Sequence, residues 1–394
     1  MTNDTKDAWG QINKETLAAA AALIGVTLRR DRMQWIETAS RDAIRHFAWG
    51  IGDNNPLWFD PEYAAASPLG GIVAPPCILY AVDSTIVAPK MAGVQWIYAG
   101  TEWTWYEPIR LNDTFTIDVK MTRQEVKSGR RFGTWALQTG ELDYVNQHGR
   151  LAAHAVGKCA RTPRGDGSKP KKAGAKQNYG HVPHRYDQAA LADIEEQVLS
   201  EPRQGPAPLY WEDIAVGDAV PAVIKGPLTI TDIIAWYAAS QGALHYGGVH
   251  GDALRYRRRH DDYHINEATG AKDSAGRGHL EASTGRDVGM GGAYDVGPQR
   301  IAWAQHMLTN WIGDHGFLHK LAVDVRRPNM VGDTIWWRGE VVGKREAGGA
   351  KFVDLKVEAR NQLDVLSADG TAVVALPSRD NVHGGPVPLP LKTA

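Results

Sequence analysis

Pro108-Ile-Arg-Leu-Asn-Asp113-Thr114 returns as Pro328-Asn-Met-Val-Gly-Asp333-Thr334, shifted by 220 positions. An echo at fixed spacing is the signature of a duplicated unit. Working outward, each copy is followed by an alternating stretch, Phe115 to Thr122 and Ile335 to Val342. A glycine-marked turn comes next, near Gly129 and Gly348, and then a second strand-like run. Alternation about a glycine turn predicts one β-hairpin per copy. Asn146-Gln147 and Asn361-Gln362 follow, and each copy closes on an apolar run, Leu151 to Val156 and Ala372 to Leu376. Upstream, Asp42-Ala-Ile44-x-x-Phe47-Ala48-x-x-x-Gly52 matches Asp232-Ile-Ile234-x-x-Tyr237-Ala238-x-x-x-Gly242, and apolar spacing of three and four predicts a short helix in both. Between these echoes the pattern predicts one longer apolar helix per copy, Ile72 to Val87 and Gln299 to Trp311. A helix apolar nearly all round must be buried, and the antiparallel sheet that follows it can wrap it.

The fold class expected is therefore α+β, a tandem repeat in one chain. At 394 residues two domains are favoured over one core. The boundaries expected are 1–165, a linker at 166–208 and 209–394, the last with an insertion at 251–290 that has no counterpart in the first copy. The linker is rich in Gly, Pro and Lys, and within it Asp187 to Leu199 has helical periodicity.

Lys plus Arg (44) nearly balances Asp plus Glu (45), so no global field recruits nucleic acid or an anionic membrane. Only Cys77 and Cys159 occur, which excludes a disulfide framework and a Cys-rich zinc module and points to a reducing cytoplasm. The longest early apolar run, Leu17 to Val26, is too short to span a bilayer and is preceded by acidic residues, so neither an export signal nor a membrane segment is expected. Fourteen tryptophans hint at an apolar pocket. Nucleotide P-loop, Rossmann and Gly-x-Ser-x-Gly signatures are absent.

Ala48-Trp-Gly-Ile-Gly52-Asp53-Asn-Asn55-Pro56-Leu57-Trp58-Phe-Asp60, followed by Gly71-Ile-Val-Ala-Pro-Pro76, resembles the MaoC-like, (R)-specific enoyl-CoA hydratase and dehydratase family, and the first half resembles its FAS1-like dehydratase domain. The resemblance implies a double hot-dog fold: two long helices, each wrapped by an antiparallel sheet, packed as a pseudo-dimer. It implies water addition to trans-2-enoyl-CoA thioesters or the reverse, with no metal; no cofactor is expected, and further homodimerisation is favoured over a monomer, which the double hot dog also allows. In the family's Gly-Asp-x-Asn-Pro-Leu-His motif, the Asp and His hold the reacting water. Here Asp53 and Asn55 match, but Trp58 stands where the His belongs.

The missing imidazole must come from elsewhere, and the second half offers His245 and His250 in Gly242-Ala-Leu-His245-Tyr-Gly-Gly-Val-His250-Gly-Asp252. His250 is preferred slightly, because Asp252 is close enough in sequence to orient it; the catalytic set expected is thus His250 or His245 with Asp252 or Asp53. Asn55, Trp58, Gly71, Gly292 and Tyr294 are candidate substrate contacts. Gly71 and the Gly285–Tyr294 stretch precede the two long helices, whose N-terminal N–H groups could polarise a thioester carbonyl or merely let the chain turn. Arg257, Arg258 and Arg259 are candidates for the coenzyme A phosphates, against a solvated helix face. His260 and His264 stand at helical i, i+4 spacing, but no third ligand supports a metal. Thioester hydrolysis and a silent acyl-CoA-binding subunit are the alternative functions.

Overall fold

The computed structural model describes residues 10–30, 34–91, 93–129, 133–163, 183–240, 251–259, 263–266 and 268–380. The strands are β1 (Gln95–Trp105), β2 (Phe115–Gly129), β3 (Gly133–Asn146), β4 (Leu151–Thr162), β5 (Ala219–Lys225), β6 (Tyr263–Ile265), β7 (Lys272–Ser274), β8 (Phe317–Val325), β9 (Ile335–Ala347), β10 (Ala350–Asn361) and β11 (Leu366–Leu376). Nine form one antiparallel sheet in the order β2-β3-β4-β1-β8-β11-β10-β9-β5, and β6 and β7 pair separately. β1 to β4 and β8 to β11 have the same connectivity, and the copies meet where β1 pairs with β8, from Gly100 opposite Asp324 to Thr104 opposite Lys320. One buried apolar cluster runs through both halves. This is the expected double hot dog, with both hairpins where the alternation places them. Trp103, Trp105 and Trp337 are core residues. Among the described residues no helix is long and apolar enough to cross a membrane.

The echo helices are real, Arg41–Gly50 and Ile230–Ser240, and they pack against each other, with Phe47 edge-on to Trp236 at 5.8 Å. The second central helix spans Gly297–Ile312, with every residue but Gly297 and Trp311 buried. The first does not match the expectation of a helix over Ile72 to Val87. It is a single 3-10 turn, Pro76–Ile78, continued by Leu79–Val82, after which the chain runs extended. Asp83 Oδ1 accepts the Thr85 N–H at 3.1 Å and an Arg30 N–H at 2.8 Å, which diverts the backbone from the next helical turn. The sheet is shaped for this extended segment. Gly140 and Gly157 are cross-strand partners, and a Cβ on either would lie 2.2 Å from Val87 or 1.9 Å from the Thr85 carbonyl. The buried Arg161 guanidinium then donates to the carbonyls of Ala88 at 2.9 Å and Met91 at 2.7 Å, pinning the far end.

Two other expectations change. His264 lies on strand β6, not on a helical face shared with His260, which is outside the described residues. On the helix Gly251–Arg259, Arg257 is buried while Arg258 and Arg259 are exposed, so the three do not present one cationic face.

Candidate active site between the two halves

The motif loop is built by its own side chains. Gly52 takes the chain out of the Arg41–Gly50 helix with φ at 66°, and Asp53 N–H returns to the Ala48 carbonyl at 2.9 Å. Asp53 Oδ1 accepts the Asn55 N–H at 3.0 Å, and Asn55 Oδ1 accepts the Leu57 N–H at 3.1 Å, capping the short helix Pro56–Phe59. The result is a carboxylate held rigidly in the interior: Asp53 is 1 % exposed, and among the described residues its Oδ2 has no hydrogen-bond partner. Burial raises the Asp53 pKa, against the lowering effect of the Asn55 N–H and of the Trp58 indole beside it.

Among the described residues one imidazole lies beside Asp53. His245 and His250 lie outside the described residues, and Asp252 is described only as part of the Gly251–Arg259 helix. The imidazole is that of His306, on the central helix of the second half, with Nε2 at 3.6 Å from Asp53 Oδ1. His306 is fully buried, and both ring nitrogens are engaged: Lys225 Nζ, at the end of β5, lies 2.8 Å from Nδ1, and Glu201 Oε1, from the linker, lies 3.1 Å from Nε2. Lys225 also donates to the Gly52 carbonyl at 3.0 Å, tying β5 to the motif loop. Asn310, one turn beyond His306, donates to Glu201 Oε1 at 2.8 Å. Arg203 donates to Asn310 Oδ1 at 3.3 Å and to Asn54. The linker stays in register with the helix through Gln204 N–H to the Asn310 carbonyl at 2.9 Å and Asp314 N–H to the Gly205 carbonyl at 3.0 Å.

Burial dominates the electrostatics. It raises the pKa of Asp53 and of Glu201, and it lowers that of Lys225 against the pull of Glu201 and Asp53. Burial, followed by the charges of Lys225 and Arg203, holds His306 well below the usual histidine range, so the ring is neutral.

A narrow cleft next to this cluster is lined by Asn55, Trp58, Trp105, Thr309, Asp314 and Phe317 among others, while Asp53 and His306 themselves lie behind its wall. Its free volume of about 60 Å³ has room for about two waters. Of the expected substrate contacts, Asn55 and Trp58 line it; Gly71, Gly292, Tyr294, Arg257, Arg258 and Arg259 do not. At the central helix N-terminus that Gly292 and Tyr294 precede, Val296 N–H donates to Gln299 Oε1 at 3.3 Å. Among the described residues no group of three His, Cys, Asp or Glu side chains could hold a metal.

Sequence reasoning missed His306, Lys225, Glu201, Arg203 and Asn310. One signal was present: Arg300, Gln305, His306, Thr309 and Asn310 are polar residues in a helix whose apolar pattern demands burial, and buried polar groups need partners.

Residues 22–155 match the family model of the FAS1-like dehydratase domain region. A UPF0336 protein of Streptomyces avermitilis is 30% identical over 95 residues, which is 22% of this chain and 62% of that protein, so the match covers less than two thirds of the relative's length. A UPF0336 protein of Parafrankia is 28% identical over 132 residues, 32% of this chain and 83% of its own length. Among solved structures, a MaoC-like dehydratase superposes with a TM-score of 0.59 over 91% of this chain and 99% of its own, at 14% identity. A MaoC domain protein from Chloroflexus aurantiacus gives 0.51 over 90% of this chain and 96% of its own, at 12% identity. Residues 22–155 are thus similar to the FAS1-like dehydratase domain region, in a chain that shares the double hot-dog fold with a MaoC-like dehydratase.

Proposed function

We propose that the protein adds water across the double bond of a trans-2-enoyl-CoA thioester, or removes it from the 3-hydroxyacyl thioester, at a site made by Asp53 and His306. The observation that carries this reading is the pair itself. A dehydratase motif that has lost its own imidazole at Trp58 holds its carboxylate 3.6 Å from a histidine of the other half, beside a cleft with room for water. A water gripped by Asp53 and the His306 Nε2–H would lose a proton to Asp53 as its oxygen bonds C3. The electron pair moves to the thioester enolate, and the protonated Asp53 returns the proton to C2. No redox partner is needed. The exposed Arg258 and Arg259 are candidates for the coenzyme A phosphates. The two buried free thiols, Cys77 and Cys159, support a reducing compartment such as the cytoplasm.

The near-complete burial of Asp53 and His306 favours one second reading, an acyl-CoA-binding subunit without turnover. Incubation with a panel of enoyl-CoA and 3-hydroxyacyl-CoA esters, read by mass spectrometry, separates the two. Gain or loss of one water, absent in Asp53→Asn and His306→Gln, is the expected result. Release of free CoA would make the protein a thioesterase, and unchanged esters that raise the melting temperature would make it the binding subunit.

A further inference from the structure

The geometry points to a site completed from outside the motif: Lys225 and Glu201 are positioning residues that hold His306 as the neutral Nε2–H tautomer, its proton aimed between two carboxylates. This rests on the reading of Asp53 and His306 given above and extends it to β5 and the linker.

The argument begins with donor and acceptor capacity. An ammonium has three donors and no acceptor, so with Lys225 Nζ at 2.8 Å, Nδ1 must be the unprotonated nitrogen. A neutral ring then carries its proton on Nε2. There it meets Glu201 Oε1 at 3.1 Å and Asp53 Oδ1 at 3.6 Å; the Asn310 amide nitrogen, also 3.1 Å from Nε2, donates instead to Glu201 Oε1 at 2.8 Å, which leaves the two carboxylates as the acceptors for that proton. Among the described residues the charged groups facing the ring come from three directions: Lys225 from β5, Glu201 and Arg203 from the linker, and Asp53 from the motif loop. Two cations and two carboxylates balance, so no net negative charge draws a second proton onto the buried ring.

The tautomer matters to the chemistry. An Nε2–H can donate to a lone pair of the water oxygen and leave the water's own O–H free for Asp53. The opposite tautomer would present a bare Nε2 competing with Asp53 for the same proton. The hydrogen bond on the remote nitrogen of a histidine sets which of these exists. Glu201 supplies the acceptor that keeps the ring oriented when no water is bound, and its position depends on the linker's pairing with the central helix.

Long-range proton–nitrogen NMR on full-length protein labelled with nitrogen-15 at histidine tests this, the His306 signal being identified by its loss in His306→Gln. The expected spectrum is the Nε2–H tautomer, unchanged across the neutral range. In Lys225→Met the same signal should titrate or show mixed tautomers. An Nδ1–H signal in the wild type, ordinary titration there, or no change in Lys225→Met would overturn the inference. The wild-type spectrum suffices if that variant does not fold. In turnover, Glu201→Gln should lower kcat by roughly 10- to 100-fold with little change in KM, and Glu201→Asp should recover part of it. A lowered melting temperature with unchanged kcat would make Glu201 structural only. Absence of turnover in the wild type would defeat the proposed reaction, while the NMR result would still decide the tautomer.

Discussion

The two halves keep different parts of one device. The first retains the motif loop around Asp53 but has exchanged most of its central helix for an extended segment over Gly140 and Gly157. The second retains the full helix Gly297–Ile312 and, with it, His306. A symmetric pair would hold two sites, each with its own loop and its own helix. Here the complete loop of one copy faces the complete helix of the other, and the polar groups of both converge on one buried cluster. On the proposed reading the first half supplies the loop and the second the helix, and neither part would work alone.

The sharpest way to break that comparison is to ask which half carries the chemistry. Asp53→Asn and His306→Gln should each reduce hydration by roughly 10²- to 10⁴-fold, the usual worth of a positioned acid or base. His250→Ala should leave most activity, measured as turnover of the same enoyl-CoA ester. The reverse pattern would return the site to the second half's own loop. Next in size is the test of the exchanged helix. Gly157→Val forces a side chain into the Thr85 carbonyl and should cost about 3 kcal/mol of stability in a denaturant melt, as severe overpacking does. A neutral result would mean that the extended segment is not held against the sheet.

Smaller still should be the effect of restoring the motif residue. Trp58→His leaves a cavity where a buried indole packed, costing about 2 kcal/mol, and if His306 fills the imidazole's role as proposed it should not raise turnover. A gain in activity would show that the first half can work unaided. The least effect concerns the insertion peculiar to the second half. Its half-buried His279, with Nδ1 3.0 Å from the Tyr294 carbonyl, is lowered to about 4, chiefly by burial. A histidine held below its unfolded value loses stability as pH falls, because the unfolded chain takes up the proton first. From pH 7 to pH 5 this amounts to about 1–2 kcal/mol. His279→Asn should flatten that part of the pH dependence of urea unfolding.

The architecture was legible because its signals are local or periodic. Hairpin alternation, the echo helices and the duplicated Pro-to-Thr segments each read directly into an element. The first central helix was misread because Ile72 to Val87 is apolar throughout. What ends the helix is a competition in which Asp83 accepts the Thr85 N–H and an Arg30 N–H, a long-range effect that apolar spacing does not encode. Asp53 and Asn55 were legible as motif residues. His306, Lys225 and Glu201 were not, since they stand on a helix, a strand and a linker that only the fold brings together. Lys225 in particular ends a run, Ala219–Lys225, that reads as an ordinary sheet strand.

The β1–β8 pairing has a consequence for how the protein behaves when scarce. Two separate hot dogs would meet by collision, and their shared site would dissolve on dilution below the dissociation constant. In one chain the same seam closes intramolecularly, at an effective concentration set by the tether and independent of how many molecules surround it. On the proposed reading specific activity should therefore hold constant down to the lowest concentrations at which it can be assayed, with each copy carrying its own site however few there are.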